Sequence, residues 1–489
     1  MNSIHLIALL TYFTVGTIIA YTSRRMGVKS ASDYYVAGGR MGALLAAGTY
    51  AATTYSAFMM VGLVGLTYQT GVGALGFELI YLVSTVTILS TLGFRIWKLA
   101  KTRKWISPSQ MIGDLYGSKT LAVAVAFLYL FAMIPYTVAQ IQGLGVVFQV
   151  SGLEYVHGVI LGTLIILLWI VLAGIWSVAT TDLYQGILML AGGIIFLSWT
   201  TSTLVQEADI SKVLETLGAQ GFLGLSSFWS PQVFLAYTIP WVFFAVTNPQ
   251  VVSRLYVHKD ANSYKRSVAL FSAYGFLYTL IAISVGIIAR MLAIGGFIPG
   301  DLPRDSVTPS LLKLMTPGLS AVVSVSIMAA AVSTANSIVL AVSSSVFKDI
   351  LNREEKSLRA AFAINLALTL IASGLALLKL GYIVDLSVLT SVFLLPLAPV
   401  TVLGVWRHGK LSTASRIAAI LAIITGGGIG FYGFVTYGAA KTFTMSYLYL
   451  PISAWILITS TTILALGILV DGLRLKNKKR ELGVLEPTV

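Results

Sequence analysis

Apolar residues fill most of this chain in long stretches that are separated by short polar segments. A stretch of about 20 apolar residues is long enough to cross the hydrocarbon core of a bilayer as a helix. We count thirteen such spans, at approximately residues 4–22, 42–69, 73–97, 119–149, 155–175, 179–204, 231–253, 264–292, 317–347, 357–379, 381–405, 412–436 and 445–472. The pattern therefore predicts an all-α polytopic membrane protein with about thirteen transmembrane helices.

Lysine and arginine are concentrated in alternate segments between the predicted spans. Cytoplasmic loops of membrane proteins carry an excess of these residues. Most of the 32 basic residues, Arg254 among them, fall on one side if the N-terminus lies outside and the C-terminus inside. We therefore expect a multi-pass protein of the cell (plasma) membrane whose basic tail, 474–480, contacts anionic lipid. The net charge of +14 then reflects topology, and no nucleic-acid partner is expected.

The composition removes several classes of function. Only 10% of the residues are charged, and the chain has no cysteine and four scattered histidines. Disulfides, thiolate metal sites and a cysteine nucleophile are therefore excluded. No combination of nucleophile, base and metal ligand is recognisable, so we do not expect an enzyme.

Two predicted spans contain signs of an interrupted helix. Span 2 has small and polar residues at 50–57 inside a long apolar stretch, and span 7 contains Pro249 directly after Asn248. A proline removes one backbone donor and obstructs the carbonyl four residues earlier. Unwound backbone at membrane depth survives where it lines a cavity, and its freed carbonyls can bind cations.

The two interruptions occupy corresponding places in the chain. With span 1 set aside, spans 2–6 and 7–11 form two sets of five, and each set begins with an interrupted helix. Because five is odd, the second set must be inverted relative to the first, as in secondary transporters. The predicted organisation is an N-terminal extra helix and cytoplasmic loop (1–41), a first five-helix repeat (42–204), an external loop (205–230), a second, inverted five-helix repeat (231–405), two C-terminal extra helices (406–472) and a basic cytoplasmic tail (473–489).

Span 9 carries closely spaced side-chain oxygens within a run of alanines and serines. Residues three and four apart share a helix face, so Ala330, Ser333 and Thr334 form one group, and Ser333, Asn336 and Ser337 form a second. Such oxygen ligands suit a hard cation. The alternative is a small-residue face for helix packing, which is common in membrane proteins.

Three acidic residues lie within or near the predicted spans. Asp182 begins span 6 and is a candidate functional residue, because ionisable groups inside a membrane are costly. Its alternative role is an interfacial helix cap. Glu78 and Asp385 lie near predicted outer ends, where we expect them to be solvated or structural.

Several separated motifs resemble the sodium:solute symporter family over essentially the whole chain. The matching segments are residues 33–40 before the first core helix, 55–57 and 62–65 in that helix, 173–176 with 182–185 in the fifth core helix, and 329–337 in the eighth. The resemblance is nearest to the sodium/proline and sodium/pantothenate-like branches. It implies a leucine-transporter-type core of 5+5 inverted repeats, with one helix before the core and two after it.

By position, the resemblance implies Na⁺ as the coupling ion. Its common site would use the backbone oxygens of Ala52, Tyr55 and Ala330 and the hydroxyls of Ser333 and Thr334. Some members have a second sodium site, whose matching residues here are Asp182, Ser333, Asn336 and Ser337. Asn336 stands where a serine is usual.

The resemblance also places a substrate pocket near the interrupted helices. Its expected residues are Ser56, Tyr136, Gln140, Gln142, Trp241, Asn248 and Pro249. For Trp241 the alternative is an interfacial aromatic residue. Ala245 and Thr54 replace a tyrosine and an aspartate that are usual in the proline branch. The pocket offers few polar side chains, which favours small amino acids such as proline, or small carboxylates such as pantothenate-like compounds, over sugars.

These features together predict a sodium-coupled symporter that imports a small organic solute by alternating access. One alternative is a sensor of solute or sodium with the same fold, and another is a proton-coupled carrier with Asp182 as its proton site. The expected partners are a small-molecule substrate, sodium ions and the lipid bilayer.

Overall fold

A computed structural model describes residues 2–23, 30–352, 358–409 and 411–481. These residues are predominantly helical, with one small antiparallel hairpin of strands β1 (Ser446–Tyr447) and β2 (Leu450–Pro451). The helices are α1 (Ser3–Ser23), α2 (Ala31–Val36), α3 (Ala43–Thr54), α4 (Val64–Thr70), α5 (Gly73–Ile88), α6 (Phe94–Arg103), α7 (Pro108–Tyr116), α8 (Lys119–Ala132), α9 (Ile134–Val150), α10 (Tyr155–Glu207), α11 (Ile210–Ala219), α12 (Pro231–Val242), α13 (Phe244–Thr247), α14 (Pro249–Leu255), α15 (Ala261–Ile294), α16 (Val307–Leu314), α17 (Pro317–Ser345), α18 (Leu358–Ala376), α19 (Ile383–Leu394), α20 (Leu397–Arg407), α21 (Thr413–Tyr437), α22 (Ala439–Thr444) and α23 (Ile452–Glu481). Short π-helical segments lie at Phe58–Leu63, Leu89–Gly93 and Val346–Ile350, and 3-10 turns at Ala37–Gly39 and Arg304–Ser306.

Within the described residues, 9 helical segments are long and apolar enough to cross a membrane, and two bent pairs raise that number to 11. The bent pairs are α3 with the segment up to the end of α4, at 47°, and α19 with α20, at 44°. The other two predicted spans coincide with Tyr155–Ile170, an apolar but shorter part of α10, and with the three short helices α12, α13 and α14. The all-α polytopic prediction is confirmed, and the count of thirteen includes these two shorter segments.

Both predicted helix interruptions are present. Helix α3 ends at Thr54, Tyr55 has extended backbone (φ −91°, ψ 103°), and a π-helical segment begins at Phe58. The second interruption lies at Asn248, also extended (φ −84°, ψ 120°), and Pro249 is the first residue of α14. A proline is tolerated there because the first helical residue needs no intrahelical donor.

The motif at 33–40 packs against the middle of α10. Tyr34 in α2 donates a hydrogen bond to the Ile170 carbonyl at 3.2 Å. Gly174 lies in the left-handed region with φ 58°, and a Cβ atom there would lie 2.5 Å from the Tyr34 ring. Glycine is required at this position for both reasons, and it interrupts α10 between the two spans predicted there.

Helix α17 forms the centre of the bundle, and its membrane-crossing window is completely buried. Helices α1, α3, α9, α10 and α14 all pack against it. Its small alanine and serine side chains allow these neighbours to approach closely. The packing interpretation of this run is therefore correct, and it does not exclude the binding interpretation, because the same serines face the interrupted part of α3.

Three charged residues do not lie where the sequence placed them. Glu78 and Asp385, expected near outer span ends in a solvated or structural role, are 1% and 2% exposed, so the solvated role is wrong. Arg254, expected as a cytoplasmic surface charge, is 1% exposed. Because a buried charge is costly unless it is compensated, the pairs of Arg254 with Asp182 and of Asp385 with Arg304 are specific interior interactions.

The predicted orientation of the termini depends partly on basic residues that lie outside the described residues. These are in segments 24–29 and 353–357 and at position 410, and the side chains at 474–480 are likewise not described. The arrangement with an outer N-terminus and a cytoplasmic C-terminus stays a prediction.

Candidate functional site

The interrupted end of α3 meets the middle of α17 through a group of neutral oxygen atoms. The Ala52 carbonyl accepts hydrogen bonds from Ser333 Oγ at 2.8 Å and from Thr334 Oγ1 at 3.2 Å. Ser333 Oγ also lies 3.0 Å from the Ala330 carbonyl, and Thr334 Oγ1 lies 3.3 Å from the Thr53 carbonyl. We call these three carbonyls and two hydroxyls the neutral cluster.

The neutral cluster has the chemistry of a site for a hard monovalent cation. Carbonyl and hydroxyl oxygens are hard ligands, and a hydroxyl can turn its proton away and offer a lone pair to an ion. The carbonyl of Ala52 is free for this purpose because the helix ends at Thr54. An ion bound here would contact both α3 and α17.

Four of the five residues predicted for the first sodium site lie together in the neutral cluster. Tyr55, the fifth, supplies the extended backbone at the break, and its ring stacks on Phe271 with centroids 5.9 Å apart. Thr53 was not predicted, although the adjacent Ala52 was. The same interruption frees the Thr53 carbonyl from the helix, so the predicted break was the sequence signal for this additional ligand.

A second group of polar side chains lies about one helical turn away and is charged. Asp182 Oδ2 accepts a hydrogen bond from Thr49 Oγ1 at 2.6 Å. Arg254 Nη2 donates to Ser337 Oγ at 2.6 Å and lies 3.8 Å from Asp182 Oδ2. Ser337 Oγ in turn shares a hydrogen bond with Thr53 Oγ1 at 2.8 Å. We call Thr49, Thr53, Asp182, Arg254 and Ser337 the charged cluster.

The charged cluster contains two residues predicted for a second sodium site, Asp182 and Ser337, and three that were not predicted there. Asp182 and Ser337 are fully buried and come together, but the guanidinium of Arg254 contacts both of them. Asn336 is also fully buried, and neither polar atom of its amide has a partner among the described residues. Because Asp182 is fully buried and lies eight residues after the interruption of α10 at Gly174, it is not an interfacial cap.

Arg254 is the main candidate functional residue that the sequence reasoning missed. It was grouped with the cytoplasmic basic residues because it precedes a polar loop. A signal was present, since apolar residues flank it at 251–252 and 255–257 and it lies only five residues after the predicted break at Pro249.

Trp241 lies in an aromatic group near the same break in α3. Its ring centroid is 5.1 Å from those of Phe58, Tyr81 and Phe244. The side chain is 2% exposed, which excludes the interfacial alternative, and its Nε1 has no hydrogen-bond partner in the described part of the chain. Phe58 connects this aromatic group directly to the interruption.

Polar side chains from α9 reach the interruption from another direction. Gln140 Oε1 accepts a hydrogen bond from the Ala57 backbone N–H at 3.2 Å, and Ser56 Oγ accepts one from the Phe58 N–H at 3.1 Å. The Tyr136 hydroxyl lies beside Ser56. These residues therefore stabilise the unwound backbone at 55–57.

The second interruption carries polar groups that are buried and only partly bonded. Thr247 Oγ1 donates to Asn248 Oδ1 at 3.0 Å, while Asn248 Nδ2 and both amide atoms of Gln250 have no partner among the described residues. Pro249 begins α14 beside them. Buried amides without partners are costly, so they are candidate contacts for a bound solute.

A cavity of about 760 Å³ lies at the end of the bundle that the charge pattern predicts to be outside. Its lining includes Gln142, Asp305, Asp385, Lys313, Lys379 and Lys441. Gln142 was predicted for the substrate pocket, and it lies here instead, donating to the Gly381 carbonyl at 2.9 Å.

Two acidic residues of this cavity hold the 3-10 turn Arg304–Ser306 against α19. Asp305 Oδ2 accepts from the Ile383 N–H at 3.0 Å, and Arg304 Nη1 lies 3.5 Å from Asp385 Oδ1. Burial raises the pKa of Asp305 to about 7, and the charge of Asp385 acts in the same direction. The Ile383 N–H, Arg304 and Gln142 oppose this increase.

Interrupted helices around a buried cation-compatible cluster, within an all-α membrane bundle, define the class of secondary active transporters. Residues 34–426 match the sodium:solute symporter family, and the chain belongs to that family. The family and the relatives below are transporters and not enzymes. The family implies a solute and sodium ions as co-transported substrates and a multi-pass membrane location.

Individual relatives agree with this assignment. The sodium/pantothenate symporter of Escherichia coli (strain K12) is 25% identical over 463 residues, which cover 88% of this chain and 89% of that protein. The uncharacterized symporter YidK of the same strain is 22% identical over 484 residues, covering 92% and 81%.

Two solved structures share the fold at low sequence identity. A Na⁺-coupled sialic acid symporter in a substrate-bound outward-open state superposes with a TM-score of 0.73 at 18% identity, over 95% of this chain and 98% of that one. Mhp1, a nucleobase-cation-symport-1 family transporter, gives a TM-score of 0.55 at 12% identity, over 89% and 96%. The leucine-transporter-type fold implied by the sequence is confirmed.

Proposed function

We propose that this protein imports a small carboxylate-bearing solute together with sodium by alternating access, and that sodium binds at the neutral cluster. The observation that carries the proposal is the contact of Ser333 and Thr334 with the freed Ala52 carbonyl. The backbone oxygen of Tyr55, at the break itself, would complete the ligand set with that of Ala330.

Sodium at this position would couple the two parts of the bundle that must move relative to each other. An ion shared by α3 and α17 favours the conformation in which both helices contribute ligands. Only such differential binding can shift a conformational equilibrium. A membrane potential of 100 mV acts on one transferred charge with about 2.3 kcal/mol, which is enough to drive useful accumulation.

The solute would bind between the two helix interruptions. Trp241 and Tyr136 would form apolar walls, while Ser56, Gln140 and Asn248 would supply polar contacts. Pro249 would maintain the break that exposes Asn248. The buried polar atoms without partners at Asn248 and Gln250 support this location.

The charge around the outer cavity favours an anionic solute over a zwitterionic amino acid such as proline. Lys313, Lys379 and Lys441 all line the cavity. They outnumber the two acidic residues of the lining, Asp305 and Asp385, and an excess of positive charge raises the local concentration of an anionic ligand. The name of the pantothenate relative agrees with a carboxylate substrate for that protein.

The predicted organisation belongs to the same proposal. Residues 42–204 and 231–405 would form the two inverted repeats, with the N-terminus outside and the basic tail on the cytoplasmic leaflet. A proton-coupled carrier based on Asp182 is less well supported, because Arg254 already compensates that carboxylate.

Uptake into proteoliposomes tests the proposal. Reconstituted protein should accumulate labelled pantothenate under an inward Na⁺ gradient, with weaker accumulation of labelled proline. A pH gradient without sodium should drive neither solute. Uptake that follows the pH gradient would identify a proton-coupled carrier, and solute binding without accumulation would favour a sensor.

The outer lysines provide a separate test of solute charge. Replacing both Lys313 and Lys441 with glutamine should raise the KM for a carboxylate solute about two- to fivefold at low ionic strength, and less in high salt. Lys265→Gln, an exposed lysine at the opposite end of the bundle, is the matched control. An unchanged KM in the double variant would argue against electrostatic attraction at this cavity.

A further inference from the structure

The charged cluster joins four helices at one buried point. Thr49 and Thr53 come from α3, Asp182 from α10, Arg254 from α14 and Ser337 from α17. Thr49 connects the two charges, because its hydroxyl donates to Asp182 at 2.6 Å and lies 3.4 Å from Arg254 Nε. The guanidinium is therefore held from several directions.

The position of this guanidinium coincides with the place expected for a second cation. Asp182 and Ser337 were predicted to bind a second sodium ion, and Arg254 Nη2 lies 2.6 Å from the hydroxyl and 3.8 Å from the carboxylate. A metal ion that used the same two side chains would have to lie against a positive charge. Repulsion between two cations at that distance is strong in a buried environment.

We propose that the side chain of Arg254 is a tethered cation that fills the second cation position, so that each chain binds a single sodium ion. This inference rests on the proposed function, since the single ion is the one assigned to the neutral cluster. The carboxylate of Asp182 needs a positive partner in the interior, and Arg254 supplies one that never leaves the protein.

The covalent attachment of the guanidinium also defines which helix carries the second positive charge. Arg254 belongs to α14, which begins at the interruption after Asn248. A mobile ion in this position would be released to the cytoplasm in every cycle, whereas the guanidinium moves only with its helix. The second charge then contributes to holding α14 against α3 and α17 without adding to the transported charge.

Counting bound sodium on the purified full-length protein tests the inference without knowledge of the solute. Equilibrium binding of ²²Na⁺ should saturate at one ion per chain in the natural protein. Arg254→Ala opens the space beside Asp182 and should raise the count to two. Arg254→Lys retains a tethered positive charge and should bind one ion, and it also serves if the alanine variant does not fold.

The possible results separate this inference from the proposed function. Two ions per chain in the natural protein, or one ion in a folded Arg254→Ala variant, would overturn the tethered-cation assignment while leaving sodium coupling intact. Two ions in Arg254→Lys would overturn it as well. A natural protein that binds no sodium would instead overturn the proposed function. Ser344→Ala is the control, because this buried hydroxyl of α17 donates within its own helix, to Ala341 at 2.7 Å.

Discussion

The neutral cluster and the charged cluster share helices α3 and α17 and lie about one turn apart, yet they accommodate positive charge in opposite ways. In the neutral cluster, Ser333 and Thr334 face carbonyls of α3, and no formal charge is present. In the charged cluster, Asp182 faces a guanidinium that belongs to the protein. Thr53 contributes to both, with its carbonyl to the first and its hydroxyl to the second.

This difference shows how a buried site can be suited either to an exchangeable ion or to a permanent charge of the protein itself. Neutral oxygens bind a cation without holding it too strongly, and they need no compensation when the ion leaves. A buried carboxylate would be left with an uncompensated charge at each release, which costs several kcal/mol. A fixed guanidinium removes that cost.

The largest expected effect comes from removing the carboxylate of the buried Asp182–Arg254 pair. Asp182→Ala should destabilise the protein by about 3–5 kcal/mol, because it leaves Arg254 buried without its countercharge. Thermal unfolding in detergent, followed by size-exclusion chromatography, measures this loss.

The matched control removes both charges. Asp182→Ala combined with Arg254→Met should be clearly more stable than Asp182→Ala alone, because replacing a whole buried pair by apolar groups is often nearly neutral. If the double variant were no more stable than the single variant, the two side chains would not be coupled as described.

Sequence reasoning predicted the neutral cluster better than the charged one for a physical reason. The former depends on local features: helix spacing brings Ala330, Ser333 and Thr334 onto one face, and the polar run in span 2 marks the break at Tyr55. These signals lie within short segments, so they are readable from one sequence. That the break in span 2 lies opposite the polar face of span 9 followed only from the repeat argument and the family resemblance.

The charged cluster depends on tertiary packing that local pattern does not contain. The direction of the Arg254 side chain is set by how α14 packs against α3 and α17 after the break at Asn248. The positive-inside pattern assigned this arginine to a loop because it considers only position along the chain. Glu78 and Asp385 were placed near water by the same kind of argument, and both are buried.

An intermediate effect is expected from removing one ligand of the neutral cluster. Thr334→Ala should raise the Na⁺ concentration for half-maximal uptake roughly 10- to 100-fold, because a contact between a neutral group and a charge contributes about 1.5–3 kcal/mol. Ser333→Ala should act in the same direction. Sodium titration of initial uptake rates measures the change.

Ser344→Ala provides the comparison for both substitutions, since it removes a buried hydroxyl from the same helix. Its sodium dependence should equal that of the natural protein. Wild-type sodium dependence in both Thr334→Ala and Ser333→Ala would exclude the neutral cluster as the ion site.

Asp305 extends the comparison to a buried carboxyl that has no tethered cation of its own. Its Oδ2 accepts a backbone N–H from Ile383, while the adjacent Arg304 lies 3.5 Å from Asp385. Burial therefore raises the pKa of Asp305 to about 7, with a further increase from the charge of Asp385. Because the folded-state pKa is raised, the carboxyl is mostly neutral below pH 7 and becomes negative as the pH rises above it.

The smallest expected effect is a pH dependence of solute affinity at the outer cavity. As Asp305 ionises between pH 6 and pH 8, a new negative charge should raise the KM for a carboxylate solute about two- to fivefold at saturating sodium, in line with single-charge effects near a protein surface. Asp305→Asn keeps an acceptor for the Ile383 N–H but cannot ionise, so its KM should stay near the low-pH value throughout. Asp301→Asn, an exposed carboxyl of the same loop, should retain the pH dependence of the natural protein. If Asp305→Asn kept that dependence as well, the titrating group would lie elsewhere, and Asp305 would serve only to hold the turn against α19.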